Sequence, residues 1–150
     1  MAVQRDRPYL QFNFLVDLGT GETAGPDAGF QECSEIGMSV DVIEYRNGNE
    51  KENAVRKLPG LARYPDVTLR RGIIGSVSLY QWLDQIRNGD QAALRTVQIH
   101  LMAEDRSGPV QSWRLLRARI TKYTSGSFNA KSSDVAMEEL TLAYERLEVE

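Results

Sequence analysis

The sequence has very few of the residues on which catalytic and metal sites usually depend. It contains one cysteine, Cys33, and one histidine, His100. A single cysteine cannot form an internal disulfide, which fits folding in a reducing compartment. A nucleophilic triad or a cysteine–histidine pair would have to use His100, and no Cys/His cluster has the spacing of a zinc site. The sequence therefore predicts no enzyme activity, no metal site and no cofactor.

An excess of positive charge and long hydrophobic runs are also missing. The formal net charge is −3, which argues against a general nucleic-acid binder, because such a protein must neutralise phosphates. No apolar stretch is long enough for a membrane helix, and the first eleven residues lack the apolar region of a secretory signal. We therefore expect assembly in the cytoplasm, no membrane anchoring, and release by lysis or as part of a particle.

Most of the chain alternates apolar and polar residues, which is typical of half-buried strands. Between Tyr9 and Leu18, for example, every second residue is apolar. Aromatic residues on the apolar phase of such segments are expected in the core, namely Phe12, Phe14, Trp82, Trp113 and Tyr144. Predicted strands lie at Tyr9–Leu18, Phe30–Gly37, Asp66–Arg71, Thr96–Ala103, Val110–Ile120 and Ala136–Val149. Met38, Val40 and Val42 also keep a period of two, and Ile43 and Tyr45 continue on the opposite phase, which suggests a bulge or bend. The count is seven or eight strands.

One segment has helical periodicity instead. Leu79, Trp82, Leu83 and Ile86 follow the i, i+3, i+4, i+7 spacing of a one-sided helix, and the pattern predicts an α-helix at about 76–88. A chain of 150 residues is most simply one domain, 1–150. The predicted fold is mainly β, a two-layer antiparallel β-sandwich or barrel with this single helix.

The segment at about 46–61 does not fit into such a core. Residues 47–53 read NGNEKEN, with no apolar side chain, and Leu58 and Leu61 then stand among basic residues and a proline. A fold does not need such a segment to fill its own interior. The pattern predicts an extended arm that contacts a neighbouring subunit.

Charge is unevenly distributed along the chain. Residues 51–71 hold six basic and two acidic residues, and residues 134–150 hold six acidic residues and one arginine. The basic arm of one subunit is predicted to meet the acidic C-terminal residues of another; alternatively, both segments pair within one subunit. The candidate interface residues are Arg46, Asn47, Gly48, Asn49, Glu50, Lys51, Arg56, Lys57, Leu58, Leu61, Arg70, Arg71, Glu145 and Glu148.

The order of three motifs resembles the tail-tube proteins of contractile phages and of phage-tail-like injection particles. These motifs are IEYR at 43–46, RKLPGL at 56–61 and YPDVTLRRGI at 64–73. The resemblance covers nearly the whole chain, since it extends to FNFLVDL (12–18), FQECSEIG (30–37), LYQWLDQI (79–86) and the closing segment 128–148.

This resemblance implies a structural protein whose subunits form hexameric rings, stacked into the hollow inner tube of a tail or injection particle. The ring protein of type VI systems shares the expected fold. The implied partners are further copies of the chain, a sheath, a baseplate or spike and a tube terminator, with cargo or DNA passing through the lumen without specific binding. Two alternatives remain open: a tube-end or baseplate adaptor of the same fold, and a small soluble effector or enzyme on a β-scaffold.

Overall fold

One long strand organises the fold. The computed structural model describes residues 2–150. Within this range there are nine strands, one α-helix and a short 3-10 turn at Pro26–Ala28. The elements are β1 Phe14–Asp17, β2 Glu32–Cys33, β3 Ser39–Tyr45, β4 Arg56–Arg63, β5 Val67–Gly72, α1 Ser78–Arg87, β6 Arg95–Met102, β7 Pro109–Ser125, β8 Met137–Ala143 and β9 Arg146–Val149.

Strand β7 belongs to both layers of the sheet structure. All pairings are antiparallel; seven strands follow the order β1-β6-β7-β8-β5-β2, with β9 also against β7, and β3 and β4 form a separate two-stranded sheet. The first half of β7 lies between β6 and β9, and its second half pairs with β8. The change occurs at Arg117, whose φ of 52° is unusual for a residue with a side chain. Glu145, between β8 and β9, forms an ion pair with Arg117 at this point.

The two layers enclose one apolar core. Every second residue of β5 and β8 is buried, as expected for strands with one face inside, and in β6 Val97 and Ile99 are buried on one face. Helix α1 packs on β7, and the Trp82 indole is buried with its N–H donating to the Ala93 carbonyl at 2.7 Å. The predicted mainly β fold with a single helix is confirmed.

The helix also lies at the position that the hydrophobic periodicity predicts. It covers Ser78–Arg87 within the predicted 76–88. The Ser76 hydroxyl accepts a hydrogen bond from the Ser78 N–H at 3.3 Å, and Gly89, with φ of 86°, follows the last turn. Within the described chain no helix has the length and apolar character needed to cross a bilayer.

Strand β1 is shorter than predicted, and Phe12 is not a core residue. The strand begins only at Phe14. The residues before it contact the β6–β7 turn instead. There the Arg5 guanidinium forms an ion pair with Glu104, which lowers the pKa of that carboxyl to about 2. The Leu10 N–H also points to Glu104, at 3.4 Å. The Phe12 side chain is left 66% exposed, whereas Trp82 and Tyr144 are buried as expected.

Two other predicted strands are interrupted. The segment Phe30–Gly37 contains only the two-residue strand β2, although Gln31 and Ser34 extend its pairing to β5 by one hydrogen bond on each side. The closing segment Ala136–Val149 divides into β8 and β9 at Tyr144 and Glu145. This division follows β7, because each piece pairs with a different half of that strand.

A buried ion pair fixes the end of the core. Arg71 on β5 and Glu138 on β8 lie directly opposite each other and are almost fully buried, with Arg71 Nε donating to Glu138 Oε1 at 2.6 Å. Tyr123 of β7 donates to the other carboxylate oxygen, and Arg71 Nη1 donates to the Asp27 carbonyl at 2.7 Å. Arg71 is therefore not available to a partner subunit, which corrects its assignment to the interface.

Replacing Arg71 by methionine should destabilise the subunit strongly. Arg71→Met keeps much of the side-chain length but leaves Glu138 as a buried, unpaired charge, which typically costs about 3–5 kcal/mol of unfolding free energy. The adjacent Arg70 is the matched control, since its ion pairs with Glu32 and Glu139 are exposed and Arg70→Met should cost at most about 1 kcal/mol. Urea unfolding followed by tryptophan fluorescence measures both; equal losses would contradict this account.

Candidate subunit interface

The strands β3 and β4 form a hairpin that is separate from the sandwich. They pair in antiparallel register from Ser39↔Arg63 to Tyr45↔Arg56, with a shift in register next to Val40. Among the elements of residues 2–150, they pack extensively only on each other. We call residues 39–63 the arm.

Both faces of the arm carry exposed apolar side chains. Ile43 and Leu58 lie opposite each other, so they share one face, and Val42 lies on the other face. Leu61 is the most exposed of the set, at 78%. A hairpin in water normally buries at least one face. The exposed apolar residues of the arm are Val40, Val42, Ile43, Tyr45, Val55, Leu58 and Leu61.

The tip of the arm, residues 46–55, is ordered by Arg46. Its guanidinium donates to the carbonyl oxygens of Glu50 and Glu52, both at 3.0 Å. The Tyr45 hydroxyl donates to the Asn47 side chain, and Glu50 pairs with Arg56 at 2.8 Å. Arg46, predicted as an interface residue, thus also holds the shape of the loop that presents the other polar candidates.

The base of the arm is clamped by Tyr144. The Tyr144 hydroxyl donates to the Gly37 carbonyl, just before β3, at 3.0 Å. Its ring packs on Tyr64, just after β4, with 5.7 Å between the ring centroids. Burial raises the pKa of Tyr144, so the hydroxyl remains a donor. A single core residue therefore sets the direction in which both strands leave the sandwich.

Most of the charged candidates already have partners within the subunit. Arg70 pairs with Glu32 and Glu139, Glu145 with Arg117, and Glu148 with Arg114 and Arg146. The basic segment 51–71 and the acidic segment 134–150 thus meet across β5 and β8, which is the alternative that the sequence left open. Exposed pairs of this kind contribute about 0–1 kcal/mol each. The exposed apolar side chains of the arm therefore indicate an interface more strongly than these charged residues do.

Sequence reasoning did not include the apolar residues of β3 among the interface candidates. Their pattern contained a usable indication, because apolar residues change phase between Val42 and Ile43 and so occupy both faces of one strand. A strand that is apolar on both faces but sits in an exposed hairpin needs cover from outside its own chain.

Cys33 and His100 do not form a site together. Cys33 lines a groove with Ile99, whereas the neighbouring His100 belongs to the opposite face of β6 and contacts the Ser112 hydroxyl at 2.7 Å. Burial raises the pKa of the Cys33 thiol to about 11. Among residues 2–150, no group of three His, Cys, Asp or Glu side chains is placed to hold a metal ion.

Comparison with known families gives a match along nearly the whole chain. Residues 10–148 match the family model described as T4-like virus tail tube protein gp19. No curated protein matches the chain by sequence.

Solved structures with the same fold include chains of a contractile injection system. The chain is similar to a chain of the PVC extracellular contractile injection system, in its sheath–tube complex in the extended state (29% identity, TM-score 0.83, 97% of this chain and 93% of that chain). It is equally similar to the tube-terminating cap of the anti-feeding prophage (30% identity, TM-score 0.83, 100% and 94%). Hcp1 from Flavobacterium johnsoniae shares the fold at 12% identity (TM-score 0.53, 91% and 93%).

Removing the Tyr144 hydroxyl should loosen the base of the arm. Tyr144→Phe keeps the ring contact with Tyr64 but loses the hydrogen bond to Gly37, which is worth about 1 kcal/mol. Backbone amides of β3 and β4 should then exchange with deuterium faster than in the wild type, as mass spectrometry measures. Tyr80→Phe, on the exposed side of α1, is the matched control and should leave exchange in the arm unchanged. Equal exchange in all three proteins would show that Tyr144 is no clamp.

The Cys33 thiol should react slowly with alkylating agents. A pKa of about 11 leaves roughly a hundredfold less thiolate at pH 8 than a pKa near 9 does. We expect the alkylation rate of the folded protein to keep rising up to pH 10, and the slow rate to disappear in urea. Mass spectrometry of iodoacetamide-treated samples measures the rate, and a plateau near pH 8–9 in the folded protein would contradict the raised pKa.

Proposed function

The chain belongs to the T4-like virus tail tube protein gp19 family, and from this premise we propose that its copies form hexameric rings that stack into a hollow tube. It is a structural component of a phage tail or an injection-system particle, and not an enzyme. Rings built from identical subunits and stacked head to tail extend without limit, because a heterologous contact along the axis does not close on itself.

The observation that supports this proposal best is the arm. It carries exposed apolar side chains on both faces and touches little of its own sandwich. Large exposed apolar surfaces on a folded protein generally mark a contact with another molecule. In a stacked tube, a neighbouring copy is present at the same position in every ring. We place Arg46–Lys51 and Arg56–Leu61 in that contact.

Further partners follow from the structures to which the chain is similar. One of them is a sheath–tube complex and another is a sheath and tube terminator, each with a chain 29% identical to this one. We accordingly assign a sheath around the tube, a terminator at one end and a baseplate or spike at the other. Cargo or DNA would pass through the lumen without specific binding.

A second candidate is a component that ends the tube. The tube-terminating cap of the anti-feeding prophage covers the whole chain at 30% identity, as high as the likeness to the sheath–tube complex. Electron microscopy of the purified protein separates the two: the main subunit gives long tubes, whereas a cap gives single rings. For either candidate we propose assembly in the cytoplasm and release by lysis or with the particle.

Shortening the tip of the arm should stop tube growth without unfolding the subunit. Deleting Gly48–Asn53 leaves residues 46, 47, 54 and 55 to connect β3 and β4, and hairpins accept loops of this length. We expect a normal circular dichroism spectrum and thermal midpoint. Negative-stain microscopy should then show few tubes compared with the wild type.

A second variant distinguishes the effect of the length of the tip from the effect of its side chains. Replacing residues 48–53 by six glycine and serine residues keeps the reach of the tip but removes its polar side chains. If the deletion variant forms tubes as readily as the wild type, the tip is only a loop. If only the glycine–serine variant forms tubes, the reach of the tip matters and its side chains do not.

A further inference from the structure

The sequence contains two Asn–Gly pairs, Asn47–Gly48 and Asn88–Gly89. In such a pair the backbone nitrogen of the glycine can attack the side-chain amide of the asparagine, because glycine has no Cβ to hinder the approach. The asparagine then loses its amide nitrogen, a reaction called deamidation. Both pairs have the same local chemistry, so a difference in their reactivity must come from the fold.

The fold protects the pair at the end of α1. The Gly89 N–H donates to the Ile86 carbonyl at 3.1 Å, and the Asn88 N–H donates to the Asp84 carbonyl at 3.0 Å. Gly89 also has a φ of 86°, a conformation that commonly ends a helix. The nitrogen that would attack is therefore already bound to the helix, and its attack requires the last turn to open.

The pair at the tip of the arm has the opposite arrangement. Asn47 begins a turn, since its main-chain carbonyl accepts a hydrogen bond from the Glu50 N–H at 3.2 Å. Within residues 2–150, the Gly48 N–H has no acceptor and the side-chain nitrogen of Asn47 has no partner. Apart from the adjacent residues, no atom lies within 4 Å of the position that a Gly48 Cβ would take. The attacking nitrogen and the leaving amide nitrogen are thus both unbound.

Tyr45 supplies a hydrogen-bond donor to the reacting amide. Its hydroxyl donates to the side-chain oxygen of Asn47 at 2.5 Å. When a nitrogen attacks Cγ of Asn47, negative charge develops on this oxygen. A donor that is already in place stabilises that charge, as the donors of an oxyanion hole do.

We infer that Asn47 is a self-acting deamidation site, with the Gly48 nitrogen as the nucleophile and the Tyr45 hydroxyl as the oxyanion donor. The Gly48 nitrogen gives its proton to water and forms a bond to Cγ of Asn47. The bond from Cγ to Nδ2 breaks, and Nδ2 takes up a proton and leaves as ammonia. Water then opens the succinimide ring at either of its carbonyls, which gives aspartate or isoaspartate. This reaction goes beyond the proposed tube function and does not depend on it.

Either product changes the tip of the arm. Aspartate adds a carboxylate to a loop that already carries Glu50 and Glu52. Isoaspartate also lengthens the backbone, because the chain then continues through the side-chain carbon, inside the turn that the Glu50 N–H closes. The loop that Arg46 orders would have to adjust to this extra length. An old free subunit therefore differs from a new one in the charge and the shape of its tip.

Mass spectrometry of the two Asn–Gly peptides tests the inference. Size-exclusion chromatography isolates the free wild-type subunit, which is incubated at pH 8 and then digested with trypsin. Trypsin gives the separate peptides 47–51 and 88–95, and a sample taken at time zero corrects for deamidation during digestion. We expect Asn47 to deamidate at least about tenfold faster than Asn88, a factor that corresponds to about 1.4 kcal/mol of barrier. In urea the two rates should become similar, since the fold no longer distinguishes the pairs.

The products identify the route of the reaction. Attack by the Gly48 nitrogen gives isoaspartate as well as aspartate, and the two forms of peptide 47–51 elute separately in chromatography. Aspartate alone would show direct hydrolysis by water and would overturn the inference. Equal rates at Asn47 and Asn88 in the folded subunit would also overturn it. Neither result would affect the tube function, because the measurement uses the free subunit.

A substitution of Tyr45 tests the role of its hydroxyl. Tyr45→Phe keeps the ring and should slow deamidation at Asn47 several-fold, with the rate at Asn88 unchanged. If the hydroxyl only held the loop in shape, its loss should loosen the tip and make Asn47 react faster. The matched control is Tyr9→Phe, which removes a hydroxyl that donates to the Val3 carbonyl and should leave both rates unchanged. An equal or faster rate at Asn47 in Tyr45→Phe would contradict the assignment of the oxyanion donor.

Discussion

The pairing of β7 with strands of both layers is the constraint on which the rest of the fold depends. Its first half pairs with β6 and β9 and its second half with β8, so the two layers cannot separate without breaking backbone hydrogen bonds. The same strand supports α1 and supplies Tyr123 to the buried Arg71–Glu138 pair. It accepts an unfavourable backbone conformation at Arg117, because the change of partner requires a bend there. The arm is free to leave the sandwich because it contributes little to this pairing.

Periodicity predicted β5, β6 and α1 well because each has one face in the core of its own chain. It failed at Phe12, which also alternates with polar residues but is two-thirds exposed. The pattern indicates that an apolar side chain is suited to burial, but it does not indicate whether its own chain or another molecule buries it.

The charge of a sequence segment did not predict which residues are available to a neighbouring subunit. The basic segment 51–71 and the acidic segment 134–150 contain β5 and β8, which are neighbours in the sheet, so Arg70 and Arg71 meet Glu139 and Glu138 within one subunit. A sequence does not show cross-strand partners until the strand order is known. The attraction available to a neighbouring subunit is therefore mainly apolar, with Lys57 as the one cation of the arm strands without an ion pair in the part of the chain that the structure describes.

The arm leaves each subunit with apolar side chains that its own chain does not cover. In a stack of identical copies joined head to tail, an arm inside the stack has a neighbouring copy beside it, whereas the arms of the last copies at one end have none. Such a stack would keep an uncovered apolar surface at one of its two ends, and that end would attract a further copy or another protein more strongly than the other end does.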